Sequence, residues 1–242
     1  RYIPFLNNQG IEVFLCVQKK LHTLIKTSNI HSNPLDIEEI NTLSDMKWIS
    51  LLSIPKLLDI NPNNFLVSNK YINSSLELVD KWKKLLFKEK RPIIGINWQG
   101  ARDIEKFNYR GRSFPLEKLK QISEIKNCSF ISLQKGFGSE QFEKCTFKNK
   151  FVKCQPQISP ILDFLETSAI IENCDLIITC DTSVAHLAGG MGKKVWLLLR
   201  KFPFWTWGNT TSKTFWYSNM KIFRQAELYN WDELVVRVAE NL

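Results

Sequence analysis

From Arg91 onward, short apolar runs alternate with amphipathic stretches. Residues 93–98 (IIGINW), 129–133 (SFISL), 175–180 (DLIITC) and 194–199 (KVWLLL) are almost continuously apolar, the pattern of strands buried on both faces. Between and after them, the spacing predicts helices near 139–145 and over 161–173, 183–190 and 231–241. Ser113-Phe-Pro-Leu-Glu predicts a further helix, with Ser113 as cap and proline in its first turn. Upstream, 11–17 (IEVFLCV) and 46–52 (MKWISLL) predict strands, the second stopped at Ile54-Pro55, and 18–27 a helix. Residues 74–90 are amphipathic behind Ser74 or Ser75 and predict a connecting helix.

Apolar strands alternating with helices imply an α/β protein whose parallel sheet is covered on both faces. Ligands of such sheets bind outside the carboxyl ends of the strands. The loops after Trp98, Leu133, Cys180 and Leu199 are therefore where chemistry is expected. After Cys180 the chain reads Asp181-Thr182-Ser183-Val-Ala-His186. The free N–H groups of a helix starting there suit a phosphate, with the two hydroxyls as added donors. Asp181 would cap the helix or accept from sugar hydroxyls. The alternative is that Asp181 only caps and His186 is a core residue. Ala188, Gly189 and Gly190 would let the helix approach neighbouring backbone closely.

The loop after Trp98 carries Arg102, Lys106, Arg110 and Arg112, which could close over a diphosphate or be a solvated surface loop. Gln134-Lys135-Gly136-Phe137-Gly138 is a turn able to contact phosphate or base, or simply a turn. Residues 202–217 hold three tryptophans and four other aromatics, suited to ring stacking on a ligand or to an interface between domains.

Composition narrows this reading. At 242 residues the chain can form one large domain or two small ones. The formal charge of +9 favours anionic partners, but the lysines are scattered, which argues against nucleic acid. Six cysteines without a C-x-x-C pair or clustered histidines argue against zinc and for a reducing, cytoplasmic setting. No apolar run is long enough to span a bilayer, and the N-terminus lacks a signal-peptide pattern. No Asp-x-Asp pair is present to hold a metal on a diphosphate, so no metal and no cofactor are expected.

These motifs, in this order, resemble the heptosyltransferase-like (family 9-like) branch of the GT-B glycosyltransferases, in the form found after tetratricopeptide repeats in bacterial proteins. The pieces are RYIPFLNNQGIEVFLCVQ at the start, IGINWQGA at 94–101, RGRSFPLEKL at 110–119, FISLQKG at 130–136, the stretch 163–199, WTWG and KIFRQ. The resemblance implies two Rossmann-like domains: a shortened acceptor-side domain over 1–73, a connecting helix over 74–90, and a nucleotide-sugar domain over 91–242. It implies an inverting, metal-independent glycosyltransferase module. A non-catalytic nucleotide-sugar-binding scaffold and a GT-B-fold epimerase are the alternatives. Donor binding would fall to Asp181, Thr182, Ser183, His186, Arg112, Arg110, Gln134, Lys135 and Trp98. The general base would lie upstream of Arg1, with His186 as a candidate, and repeats would precede the chain. The acceptor would be a glycan, a lipid-linked group or a protein.

Overall fold

The computed structural model describes residues 1–44, 46–65, 70–107, 111–125, 127–209 and 211–242, the side chains of 41, 42, 107 and 125 excepted. The strands are β1 (Ile93–Asn97), β2 (Ser129–Ser132), β3 (Leu176–Thr179), β4 (Val195–Leu199), β5 (Lys213–Thr214) and β6 (Tyr217–Arg224). Their order in the sheet is β2-β1-β3-β4-β6-β5, with only the β5–β6 pair antiparallel. The chain leaves β1 toward β2 on one side and continues from β3 on the other. The crevice between the carboxyl ends of β1 and β3 is thus the point where a doubly wound sheet opens to ligands.

Ten α-helices occur among the described residues: α1 (Tyr2–Asn8), α2 (His22–Thr27), α3 (Ile54–Leu57), α4 (Leu76–Leu86), α5 (Arg102–Phe107), α6 (Lys120–Ile125), α7 (Gln155–Ile158), α8 (Phe164–Glu172), α9 (Ser183–Gly190) and α10 (Trp231–Glu240). One sheet face packs against α4, α8 and α9, the other against α6, α10 and a short turn at Leu116–Leu119. Both layers bury apolar strand residues completely, Ile177 and Leu197 on the first face and Ile96 and Ile178 on the second. Each such side chain contributes about 1.5–3 kcal/mol. Ser75 caps α4, and Leu78, Val79, Trp82 and Leu86 form the inward stripe that rests on α8. The Arg91 guanidinium and the Ile93 N–H both bind the Asp175 carboxylate, at 2.7 Å each, and join the starts of β1 and β3.

Six expectations change. Residues 11–17 and 46–52 form no strand: the first gives one parallel bridge, Cys16 to Leu35, and among the described residues the second has no regular element beyond a turn. Their apolar pattern lacks a neighbouring strand, and Phe14, Trp48 and Leu52 stay exposed. Ser113 does not cap a helix, since the following turn starts from Pro115. The polar loop after β1 contains α5, and the predicted helix at 161–173 is the shorter α8 behind Asp163. Finally, β6 was not anticipated, because its alternation is broken and the aromatic cluster runs into it.

Residues 71–72 join the first part of the chain to the sheet. The N–H groups of Tyr71 and Ile72 donate to the Gly190 carbonyl at 2.9 and 3.1 Å. A Cβ on Gly190 would stand 2.6 Å from the end of the Ile72 side chain, which would have to move aside, so the glycine leaves room for this close approach.

Candidate functional site

The β1/β3 crevice is organised by Asn97, the last residue of β1, which is 4% exposed. Its Oδ1 accepts from the hydroxyls of Thr182 (2.8 Å) and Thr179 (3.3 Å), and its amide donates to Gln134 at 2.8 Å. Thr182 is the N-cap of α9 but its oxygen accepts no capping bond; the hydroxyl is turned to Asn97, to which it donates. Of the two hydroxyls at this turn, exposed Ser183 is the one left to face a ligand. The first amides of α9 have no intrahelical acceptors and carry the positive end of the helix dipole.

Arg112 reaches this helix start from the neighbouring loop. Its Nη1 donates to the Asp181 carbonyl at 3.3 Å, and its Nε lies 3.4 Å from Glu105 on α5. The Arg112 side chain is only 14% exposed and that of Glu105 17%, so the pair is largely withdrawn from water. Ser113 donates to the same Glu105 oxygen and accepts from the Gly100 N–H at 2.8 Å. A Cβ on Gly100 would stand 2.2 Å from Arg112 Nε, so the guanidinium lies directly over that backbone. The structure thus brings Arg112, Asp181, Thr182 and Ser183 to one crevice. Glu105, which positions Arg112, escaped the sequence reading because nothing in the sequence distinguishes it from a surface acid. Arg102 stands over the Phe137 ring at 5.5 Å, and Lys106 lies 3.9 Å from Asp103. Arg110 lies outside the described residues.

Three other expected donor contacts are turned inward. Trp98 is fully buried, and its indole N–H donates to the Gly138 carbonyl at 3.1 Å. Gln134 is 5% exposed; its Oε1 accepts from the Asn97 amide and the Gln99 N–H, and its amide donates to the Gln99 and Phe137 carbonyls. It welds the β1 and β2 loops together. Lys135 donates to the carbonyls of Ile158 (2.5 Å) and Ser159 (3.1 Å) at the end of α7. Burial pulls its ammonium down to about 8.

His186, one turn into α9, opens onto a cavity of about 410 Å³ between the N-terminal helices and the sheet. Its Nδ1 lies 2.9 Å from the Tyr217 hydroxyl and its ring stacks on Trp207 at 5.0 Å. The surrounding walls pull its pKa below 6.5; the Asp181 carboxylate opposes that shift and Arg1 reinforces it. The neutral imidazole is therefore favoured at pH 7. The aromatic cluster sits at the junction of the two parts of the chain: Arg1 donates to the Trp216 carbonyl at 2.8 Å and lies over the Tyr217 ring at 4.8 Å. Phe202 and Trp205 remain exposed. Past β6, Gln225 donates its N–H to the Leu199 carbonyl at 2.9 Å, while neither end of its 2%-exposed side chain has a partner.

Among the described residues, no three His, Cys, Asp or Glu side chains gather as a metal site, and no helix is long and apolar enough to cross a membrane. The six cysteines are free.

No protein-family model matches the chain, and neither does any curated protein. Among solved structures it is similar to a glycosyl transferase family 9 protein from Veillonella parvula, at 12% identity and a TM-score of 0.49, over 66% of this chain and 44% of that one. It is also similar to the ADP-heptose LPS heptosyltransferase II of Escherichia coli, at 12% identity and a TM-score of 0.49, over 70% and 51% of the two chains. A third is the E. coli heptosyltransferase WaaC, solved with ADP-2-deoxy-2-fluoro heptose, at 10% identity and a TM-score of 0.40, over 66% and 47%. The chain spans about half the length of these proteins.

Proposed function

We propose that this chain is a nucleotide-sugar-binding module of glycosyltransferase type, acting by inversion and without a metal ion. The reading assigns residues 91–242 to the nucleotide-sugar and residues 1–73 to the acceptor side, as the two parts of a GT-B arrangement. The observation that carries it is the start of α9: an uncapped helix N-terminus at the β1/β3 crevice, with Arg112 fixed beside it through the Asp181 carbonyl.

A leaving nucleoside diphosphate gains charge as its bond to the anomeric carbon breaks. Donors already in place at that point lower the barrier, because they need no reorganisation. The Ser183 and Val184 amides, the Ser183 hydroxyl and the Arg112 guanidinium would supply them. Asp181 would turn its carboxylate to sugar hydroxyls. The ion pair with Glu105 holds Arg112 in register and offsets part of its charge, so the diphosphate competes with a carboxylate for the fork. On the acceptor side, neutral His186 is a proton acceptor oriented by Tyr217 at Nδ1. An acceptor hydroxyl in the cavity would pass its proton to that imidazole as its oxygen attacks the anomeric carbon and the diphosphate departs.

The test is calorimetric titration with nucleoside diphosphates in EDTA. Arg112→Ala removes one charge-assisted contact, worth about 1.5–3 kcal/mol, or about 10- to 150-fold in affinity. Because that variant also leaves Glu105 unpaired, Arg112→Lys serves as the folded control and should still bind more weakly than wild type. Wild-type affinity in both variants, or binding that requires a divalent cation, rules out this reading.

A further inference from the structure

The cavity of about 410 Å³ beside His186 is large enough to hold a small organic molecule. Its walls are chemically uneven. Between Ile3 and Pro55 every residue that lines it is aliphatic, with Leu15, Leu21 and Ile25 among them. Most of its polar groups come from the aromatic junction, through Arg1, Tyr71, His186 and Tyr217. Leu52 and Trp205 also line it and are 62% and 55% exposed, so they mark where it opens to solvent.

Charge narrows the occupant. Among the described residues that line the cavity there is no carboxylate, and Arg1 is the one cationic side chain. Its guanidinium donates to the Trp216 carbonyl at 2.8 Å and to the Tyr71 hydroxyl at 3.3 Å. It also lies over the rings of Tyr71, Trp216 and Tyr217 at 5.0, 5.5 and 4.8 Å. Ring faces carry the negative part of the aromatic quadrupole, so this cation is accommodated without an anion. An anion entering beside it would meet the same negative faces.

His186 supplies the polar contact. Its side chain is exposed to the cavity, Tyr217 holds Nδ1 at 2.9 Å, and Nε2 has no partner among the described residues. Stacking on Trp207 at 5.0 Å sets the plane of the ring. A carbohydrate matches these walls poorly, because hydroxyls turned to the aliphatic side would lose water and gain no partner.

We propose that the cavity binds an uncharged apolar alcohol, an alkyl or aryl body that carries the hydroxyl itself. The oxygen sits at His186 Nε2 and the body lies against Leu15, Leu21 and Ile25. Binding of this alcohol is independent of the donor site; its role as glycosyl acceptor rests on the donor-site reading. In that role its oxygen bonds to the anomeric carbon and its proton passes to Nε2. The nucleoside diphosphate leaves with the electron pair of the broken C–O bond, and the product is an alkyl or aryl glycoside.

The probe is octan-1-ol, followed by calorimetry and by the ¹⁵N resonances of the His186 ring, which are identified by their loss in His186→Phe. Octanoate is the charged control and methyl glucoside the carbohydrate control. Octan-1-ol should bind and shift the Nε2 resonance, and both controls should bind at least about ten-fold more weakly. Val17→Trp, which fills the cavity from a half-buried wall position, should abolish binding. His186→Phe should weaken it about two- to ten-fold, the loss of one neutral hydrogen bond. Should Val17→Trp melt too early to titrate, Leu52→Trp at the exposed rim replaces it and must bind more weakly than wild type. A control that binds as well as octan-1-ol, wild-type affinity in the tryptophan variant, or an unshifted His186 ring overturns the proposal. Binding of nucleoside diphosphates without binding of octan-1-ol also overturns it and leaves the donor site standing. Binding of octan-1-ol without binding of diphosphates keeps the cavity assignment and removes the acceptor role.

Discussion

The two parts of the chain carry similar apolar runs and do different things with them. Beyond Arg91, each run finds a parallel neighbour, so its amides and carbonyls are paired and its side chains are buried on both faces. Before Tyr71, the equally apolar 11–17 finds a single bridge at Cys16, and its cluster of buried residues is limited to Ile3, Leu15 and Ile25. The difference teaches that strand propensity is an offer which only a partner strand can accept: the ladder hydrogen bonds are non-local, and without them burial stays partial.

The largest expected effect tests that contrast directly. Leu197→Ala, at a fully buried position in the middle of the sheet, should cost about 2–5 kcal/mol in urea unfolding. Ile25→Ala should lie at or below the bottom of that range, because a small cluster can collapse around the gap. Native-state hydrogen exchange should show amides of residues 1–65 opening before those of the central strands. Equal costs and one common opening would show that both parts share a single cooperative core.

A middle-sized effect concerns binding rather than stability. Gly100→Ala should push Arg112 off its backbone seat and lower nucleoside diphosphate affinity by about ten-fold or more, comparable to Arg112→Ala. The double variant should bind no more weakly than Arg112→Ala alone, since both act through one guanidinium. An additive loss would mean that Gly100 contacts the ligand itself.

The smallest effect is a pH slope. His186 is exposed to the cavity, whose surrounding groups hold its native pKa below 6.5, so the unfolded chain takes up its proton first as pH falls. The His186 contribution to stability is complete above about pH 6.5 and is lost as pH drops toward the lowered native value. Melting curves of wild type and His186→Gln should converge in slope above that point and diverge below it. Parallel curves throughout would show that the imidazole is not desolvated.

Much of the sheet half was legible because each of its runs is local and nearly continuous: β1 to β4, α9 and α10 fall within a residue or two of their expected limits. The glycine pair before Met191 was read as a close-approach surface, and Tyr71 and Ile72 dock there. The roles of Trp98, Gln134 and Lys135 were not legible, since residue type does not say which way a side chain turns at a strand exit. Their hydrogen bonds run to the loop backbone, to Asn97 and to the end of α7. Arg112 stood out as a cation in the sequence, but its largely buried pairing with Glu105 depends on α5 folding back over the loop.

By itself, the sequence determined the α/β class, the parallel strands, and the strand-to-helix turn at Asp181-Thr182-Ser183, because burial on two faces and helix-start signals are written in local pattern. Only the tertiary structure decided that Thr182 gives its hydrogen to Asn97 and that Arg112 lies across Gly100. Those outcomes depend on strand order and register, which bring residues from opposite ends of the domain within hydrogen-bonding distance, and no local pattern records them.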